Sequence, residues 1–283
     1  CQLNAGRVRE RPLRKEVERL KLLLSGLGQA LAAVAHVCGE QGREAVDDAA
    51  TGAVDDVVTL GADGQPSYGF YREGVADRDW QPEALLGQLR ALPVGVLHTG
   101  SLLLIPPEHH KVLSILKAAR EMGWTISVDI NLRPKVAHDL AQYVQALREV
   151  IALTDWLKAS DEDLQTLGYE DVCIDHADAL VQTLRHEFSD DALSRIALTF
   201  GGNGAHVDIF GMRCTSPVPE VSVQDTVGAG DTFWGNTVAD WAMNPEQCGL
   251  RVSETLELAM TAAAINCTRQ GCQPPTRAEV MAF

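Results

Sequence analysis

The sequence has no uninterrupted run of the roughly 20 apolar residues that a membrane-spanning helix needs. Its longest weakly polar stretch, Leu22 to Cys38, is broken by Ser25, Gly26, Gly28, Gln29 and His36. Basic residues are scarce: Lys and Arg total 24 against 39 Asp and Glu, a formal net charge of −15. Such a field repels phosphate backbones and anionic lipid, so the expected partners are small molecules, with no nucleic acid and no membrane. Seven cysteines are scattered from Cys1 to Cys272 without a repeated CxxC spacing. Neither a disulfide framework nor a zinc site is indicated, and the pattern reads as mostly reduced thiols of a cytoplasmic protein. Internal repeats and long linkers are also lacking. The chain opens on Cys1 in place of Met, which reads as a truncated or partial chain, with a lipid-modified mature terminus as the alternative.

What is present is ordinary globular material, 283 residues with 46% hydrophobic and 22% charged side chains, enough for one large α/β domain or two small ones. Apolar residues recur at helical spacing in Leu20 to Leu31, Val112 to Met122, Ala137 to Ile151 and Ala177 to Phe188. Between them lie short, nearly continuous apolar runs at Val94 to Leu97, Thr125 to Ile130, Asp155 to Leu157 and Arg195 to Phe200, the pattern of strands buried on both faces of a parallel sheet. The alternation predicts an α/β fold, a three-layer α/β/α sandwich with a mainly parallel central sheet, whose ligands sit at the carboxyl ends of the strands. Asp56 to Leu60 and Ser67 to Tyr71 flank the turn-rich segment Gly61 to Pro66, a hairpin signal for a small β lid. His109 and His110 are adjacent and not spaced for one helical face, and read as surface residues.

The most informative segment is Asp225-Thr226-Val227-Gly228-Ala229-Gly230-Asp231-Thr232-Phe233. Two glycines and an alanine leading into a helix let backbone N–H groups converge at its N-terminus, where the dipole and unpaired donors hold anions. An acid at Asp231, in the first turn beside that cradle, is placed to take a proton from a hydroxyl attacking a phosphoryl group. A helix cap with a glycine turn is the bland alternative.

The whole string resembles the C-terminal signature of the ribokinase-like carbohydrate kinase family, the phosphofructokinase B type, and is closest to its bacterial fructokinases. The resemblance implies that Asp231 is the catalytic base, that Gly228, Ala229 and Gly230 form the anion hole, and that Asp225 and Thr226 lie by a monovalent-cation loop. Ser127 to Pro134 is similar to a strand-end motif in which Asn131 and Arg133 face sugar and phosphates; a guanidinium suits that place because its fork grips phosphate or sugar oxygens. Leu157 to Leu164 is similar to a segment whose acid, here Asp163, organises Mg²⁺ through water. Ser160 and Asp163 also read as an N-cap and its capping-box acid. Thr199 to Ala205 resembles the nucleotide loop, with Thr199 and Gly201 at the ATP phosphates and Gly204 turning the chain. Ala262 to Gly271 resembles the helix and loop that close over adenine, with Asn266 a ring contact. Phe70, Tyr71 and Arg72 match a segment between lid and sugar pocket.

The resemblance runs from about Val57 to the end. Residues 1–56 do not match and read as a partial or rearranged beginning, lacking the family's sugar-binding acid and Gly-Gly stretch; residues 57–283 read as the kinase domain, with 57–75 supplying the lid strands. The implied activity is ATP-dependent phosphorylation of a sugar, fructose first, with 2-keto-3-deoxygluconate or another sugar as alternatives, using Mg²⁺ and aided by K⁺, in a homodimer. The rival is a catalytically silent nucleotide-binding relative.

Overall fold

The computed structural model describes residues 56–60, 66–70, 80–188, 192–247 and 249–283. The chain divides into two compact units. The first, residues 1–55 with 71–80, lies almost wholly outside the described residues, and the helix expected around Leu20 to Leu31 falls there. The second, residues 56–70 and 81–283, carries the sheet.

Strands β1 (Asp56–Leu60) and β2 (Pro66–Phe70) form the expected hairpin, antiparallel over five pairs from Asp56↔Phe70 to Leu60↔Pro66. The loop between them is outside the described residues. Helix α1 (Pro82–Ala91) opens on a proline at its first position, where a missing N–H costs nothing, and leads to β3 (Val96–Gly100). After it come α2 (His109–Glu121), β4 (Thr125–Asp129), α3 (Leu140–Ile151) and β5 (Trp156–Ser160). Then follow the short α4 (Asp161–Thr166), α5 (Ala177–Phe188) and β6 (Arg195–Thr199). Strands β7 (Ala205–Ile209) and β8 (Met212–Ser216) make a second hairpin. Helices α6 (Ala229–Met243), α7 (Val252–Cys267) and α8 (Arg277–Ala282) complete the chain.

The sheet runs β3-β4-β5-β6-β7-β8, parallel from β3 to β6 and antiparallel across β7 and β8. Successive side chains of a strand point to opposite faces. In β4, β5 and β6 four consecutive positions are buried, and in β7 all five, so both faces are covered and the sandwich has three layers. Ile126, Val128, Leu157, Ala159, Ile196 and Leu198 are wholly inaccessible. Each large aliphatic side chain so buried contributes about 1.5–3 kcal/mol before the entropy of ordering is subtracted. A second core lies under β7, where Trp241 stands edge-on to both Trp156 and Trp234 at 5.5 Å between ring centroids. The Arg195 guanidinium lies 4.4 Å from the Trp156 ring and 5.4 Å from that of Trp241, so its charge is buried on aromatic faces.

One reading is corrected. His109 is buried, at 4% exposure, while His110 is exposed. Neighbours on a helix point about 100° apart, so adjacency places one of the pair inward and the other outward. Val94 is exposed and β3 starts at Val96, because Pro93 and Gly95 interrupt the strand. Helix α3 starts at Leu140, since Pro134 to Val136 forms a separate 3₁₀ turn and the Asp139 side chain caps the helix by accepting from the Gln142 N–H.

Candidate active site

Parallel strands bring their C-terminal ends to one edge, and the register places Gly100 beside Asp129 and Asp129 beside Lys158. Gly100 is required there: a Cβ on it would fall 2.2 Å from the Asp129 carbonyl oxygen. Asp129 and Lys158 are both buried, and the lysine Nζ donates to both oxygens of the carboxylate at 2.8 Å. Burial pushes the Asp129 carboxyl above its ordinary range and the Lys158 ammonium pulls it back; Asp163 and Asp231 act on it as like charges. His98, one turn of the pleat earlier on β3, has its Nδ1 3.1 Å from the Ser127 hydroxyl. Desolvation lowers its pKa below the ordinary imidazole value, with Lys158 acting in the same direction, against the raising effects of a backbone hydrogen bond with Ser127 and of Asp231.

The loops after β4 and β5 are tied together by Asp163. One of its oxygens accepts the Leu132 N–H at 2.7 Å and the other the Ser160 N–H at 2.8 Å, while the Ser160 hydroxyl accepts the Asp163 N–H. This completes the expected capping box and holds the chain around Asn131, which has a left-handed φ of 41°, and Arg133, which is half-buried. With a buried carboxylate committed to two backbone donors, Asp163 shapes the loop; a role toward a metal would pass through water.

The loop expected to hold an anion lies at the start of α6. Gly228 is the N-cap, with φ 76°, and no side chain caps the helix. The turn closes through Ala229 N–H to Thr226 O at 3.2 Å and Thr232 N–H to Gly228 O at 2.8 Å, which leaves the first-turn amides of Gly230 and Asp231 without an intrahelical acceptor. The Asp231 side chain is exposed at that end. Glycine at 228 answers two demands: the left-handed backbone, and a Cβ that would fall 2.2 Å from the Cys272 sulfur.

Beneath this loop the C-terminal segment acts as a brace. Gln224 and Asp225 N–H groups both donate to Cys267 O, and the Asp225 carboxylate accepts from Val227 at 2.9 Å and Gly271 at 2.8 Å. Those backbone donors hold the Asp225 carboxyl below its usual range. Asn266 is wholly buried, its amide donating to Val227 O at 2.8 Å and accepting from Gln273 N–H at 2.9 Å. The Asn266 amide thus makes one donor bond and one acceptor bond inside the protein, and it braces the loop ahead of α6. Cys272 is pushed up by desolvation and by Asp231, and Cys267 by desolvation and by Asp225.

Thr199 ends β6, and Gly201 to Asn203 make a 3₁₀ turn into β7. Gly204 has φ 116°, and a Cβ there would fall 2.2 Å from the Ser216 carbonyl oxygen, so this turn also requires glycine. Of the expected sugar-side residues, Tyr71 and Arg72 lie outside the described residues, and Phe70 is described only as the last residue of β2. Sequence reasoning missed Lys158, whose only signal was a charged residue inside an otherwise apolar strand. Among the described residues no group of three His, Cys, Asp or Glu side chains is gathered to hold a metal, and no helix is long and apolar enough to cross a membrane.

Residues 46–279 match the profile of the pfkB family carbohydrate kinases. A fructokinase of Rhizobium leguminosarum bv. trifolii is 32% identical over 183 residues, 64% of this chain and 52% of its own length. Probable fructokinase-4 of Arabidopsis thaliana is 31% identical over 234 residues, 80% of this chain and 68% of its own. The chain therefore spans about half to two thirds of the length of these relatives. Among solved structures, a double mutant of Vibrio cholerae O395 fructokinase in a fructose, ADP and potassium ion bound form superposes with a TM-score of 0.66 at 22% identity, covering 81% of this chain and 72% of that one.

Proposed function

Because the chain belongs to the pfkB family of carbohydrate kinases, we propose that it transfers the γ-phosphoryl group of ATP to a primary hydroxyl of a sugar, with fructose as the leading acceptor. The observation that carries this is the uncapped N-terminus of α6 with Asp231 exposed in its first turn. Two amides without acceptors and the helix dipole favour the charge that develops on the transferring group, at no cost of reorganisation. Asp231, beside them, accepts the proton of the attacking hydroxyl. Thr199 and Gly201 approach the nucleotide phosphates, and Asn131 with Arg133 approach the acceptor and the phosphates. Phe70, Tyr71 and Arg72 are assigned to the sugar side. The matched fructokinases of Rhizobium and Arabidopsis support fructose over other sugars.

Mg²⁺ suits this site as an ion that arrives with the nucleotide, because it keeps several waters and takes phosphate oxygens as ligands in preference to an all-protein cage. Asp163 would face its waters, and the ion would neutralise charge on the phosphates. Asp225 and Thr226 form the candidate cation loop; an Asp225 carboxylate kept ionised by backbone N–H donors suits a monovalent ion such as the potassium named for the Vibrio cholerae protein.

The test is ADP release by the full chain over a panel of ketoses, aldoses and sugar acids, with Mg²⁺ and K⁺ present. Fructose-dependent release is the expected result. Release with 2-keto-3-deoxygluconate in its place would move the acceptor, and release with no sugar at all would reject the reading.

A further inference from the structure

The two faces of β7 carry different chemistry. Ala205, Val207 and Ile209 pack into the tryptophan core with α6, while His206 and Asp208 turn to the other face and meet α5. Asp208 is accounted for by Arg185 and Arg213. His206 is not. Its side chain is 2% exposed, and its Nδ1 lies 2.8 Å from the hydroxyl of Thr215, its partner across the β7–β8 hairpin. Its Nε2 is buried and makes no hydrogen bond, with Asp178 Oδ1 3.5 Å away. A buried ring nitrogen left so calls for an explanation.

His206 borders a hollow of about 410 Å³, a volume in the range of roughly 300–1,000 Å³ usual for small-molecule sites. The hollow opens on the α5 face of the sheet, opposite the start of α6. Its polar lining is Asp175, Asp178, Asn203, His206 and Thr215, with Ile174 among the apolar residues. Desolvation lowers the His206 pKa and Arg213 acts with it, against Asp178 and Asp208, so the ring is neutral at neutral pH. A carboxylate beside Nε2 favours the proton on that nitrogen, so Nδ1 accepts from Thr215 and the threonine oxygen keeps its lone pairs. Arg213 is shared between Asp178 and Asp208, and Arg185 is spent on Asp208. Asp175 has no hydrogen bond or ion pair among the described residues. Three carboxylates thus face two guanidinium groups, and the lining is rich in acceptors. Among the described residues these acids are not gathered closely enough to hold a metal.

We propose that this hollow binds a small aliphatic ammonium compound, its N–H groups shared among Asp175, Asp178 and the Thr215 oxygen and its carbon chain lying against Ile174. The site is independent of the kinase reading. Calorimetric titration of the full chain at neutral pH with diaminobutane, and with butanediol as an uncharged analogue of the same length, tests it. Diaminobutane should bind saturably, one per chain, and butanediol should not. Asp175→Asn, at an exposed position, should weaken the diamine on the order of tenfold, the worth of one charge-assisted hydrogen bond. Glu121→Gln, exposed at the end of α2, should leave affinity unchanged, which separates the hollow from the general pull of an acidic protein on cations. The imidazole resonances of His206 give a second measurement in the parent itself and should shift as the diamine saturates. No saturable binding, equal binding of butanediol, an equal loss in Glu121→Gln, or His206 resonances that stay in place at saturation overturns the proposal.

Discussion

Asp129 and Asp208 are both buried strand carboxylates held by basic side chains, and they sit at opposite edges of the same sheet. Asp208, wholly inaccessible on β7, pairs in register with Ile196 near the start of β6. It accepts from Arg185, from Arg213 Nε at 3.1 Å and from Gly211 N–H at 2.9 Å. Arg185 is itself spent on Leu193 O and Ser194 O, and Arg213 on Asp178. Every partner there has its own partner, so the cluster closes on itself and locks the β7–β8 hairpin to α5. Asp129, at the C-terminal edge, holds a lysine whose nitrogen also borders a helix N-terminus. A buried charge pair at the loop-bearing edge of a parallel sheet is open to a ligand in a way that the same chemistry at the other edge is not.

The comparison breaks most readily at Asp208. Asp208→Ala should lower unfolding stability by about 3 kcal/mol, the low end for a broken buried pair because both arginines can reach water. Denaturant melts measure this, and the rate per folded molecule should stay near the parent's. A stable Asp208→Ala that turns over slowly would erase the distinction between the two edges. Asp231→Asn is the converse: on the order of 10²-fold or more slower turnover with little change in melting, as loss of a general base predicts. Next in size is Gly228→Ala, which meets a left-handed φ worth about 1–2 kcal/mol and the sulfur of Cys272. Adding Cys272→Ala should relieve only the steric part; complete recovery would show that the φ carries no cost. Replacing K⁺ by a large organic cation at equal ionic strength should slow turnover several-fold by loosening the loop at Asp225, and equal rates would remove the cation from the site.

The smallest effect is in pH. His98, His109 and His206 are all lowered below the usual imidazole value, desolvation being the first cause in each; Asp178 and Asp208 raise His206 and Arg213 lowers it. A folded pKa below the unfolded one means that the unfolded chain binds more protons. Their contribution is then complete above about pH 6.5 and is lost as pH falls through and below that value. Melting temperature should drop from pH 7 to pH 5, and His109→Leu should flatten the fall. An unchanged slope would place the acid sensitivity elsewhere.

Much of the parallel half was legible in the sequence because strands buried on both faces are apolar throughout, and the amphipathic helices between them keep one stripe. The start of α6 was legible from the small residues of the loop, and the capping box of Ser160 and Asp163 from spacing alone. Long-range register was not. That Lys158 meets Asp129, 29 residues away, depends on how β4 and β5 align, and the sequence around each carries no trace of the other. The direction of the Asn266 side chain was equally hidden, since a helix pattern says that a residue is inward without saying which backbone its amide will find. His109 failed for a related reason: adjacency excludes a shared face but says nothing about which of the two histidines is covered.

The brace under the anion loop also orders events in time. Asp225 reaches to Gly271, Val227 to Asn266, and Gly228 packs on Cys272, so the cradle formed near residue 228 is completed by a segment synthesised some forty residues later. A ribosome adding about 5–20 residues per second needs a few seconds to cover that distance. Throughout that interval the emerging chain has its sheet but an unbraced loop ahead of α6, so a change in the segment from Asn266 to Gln273 would reach the start of that helix without altering any of its residues.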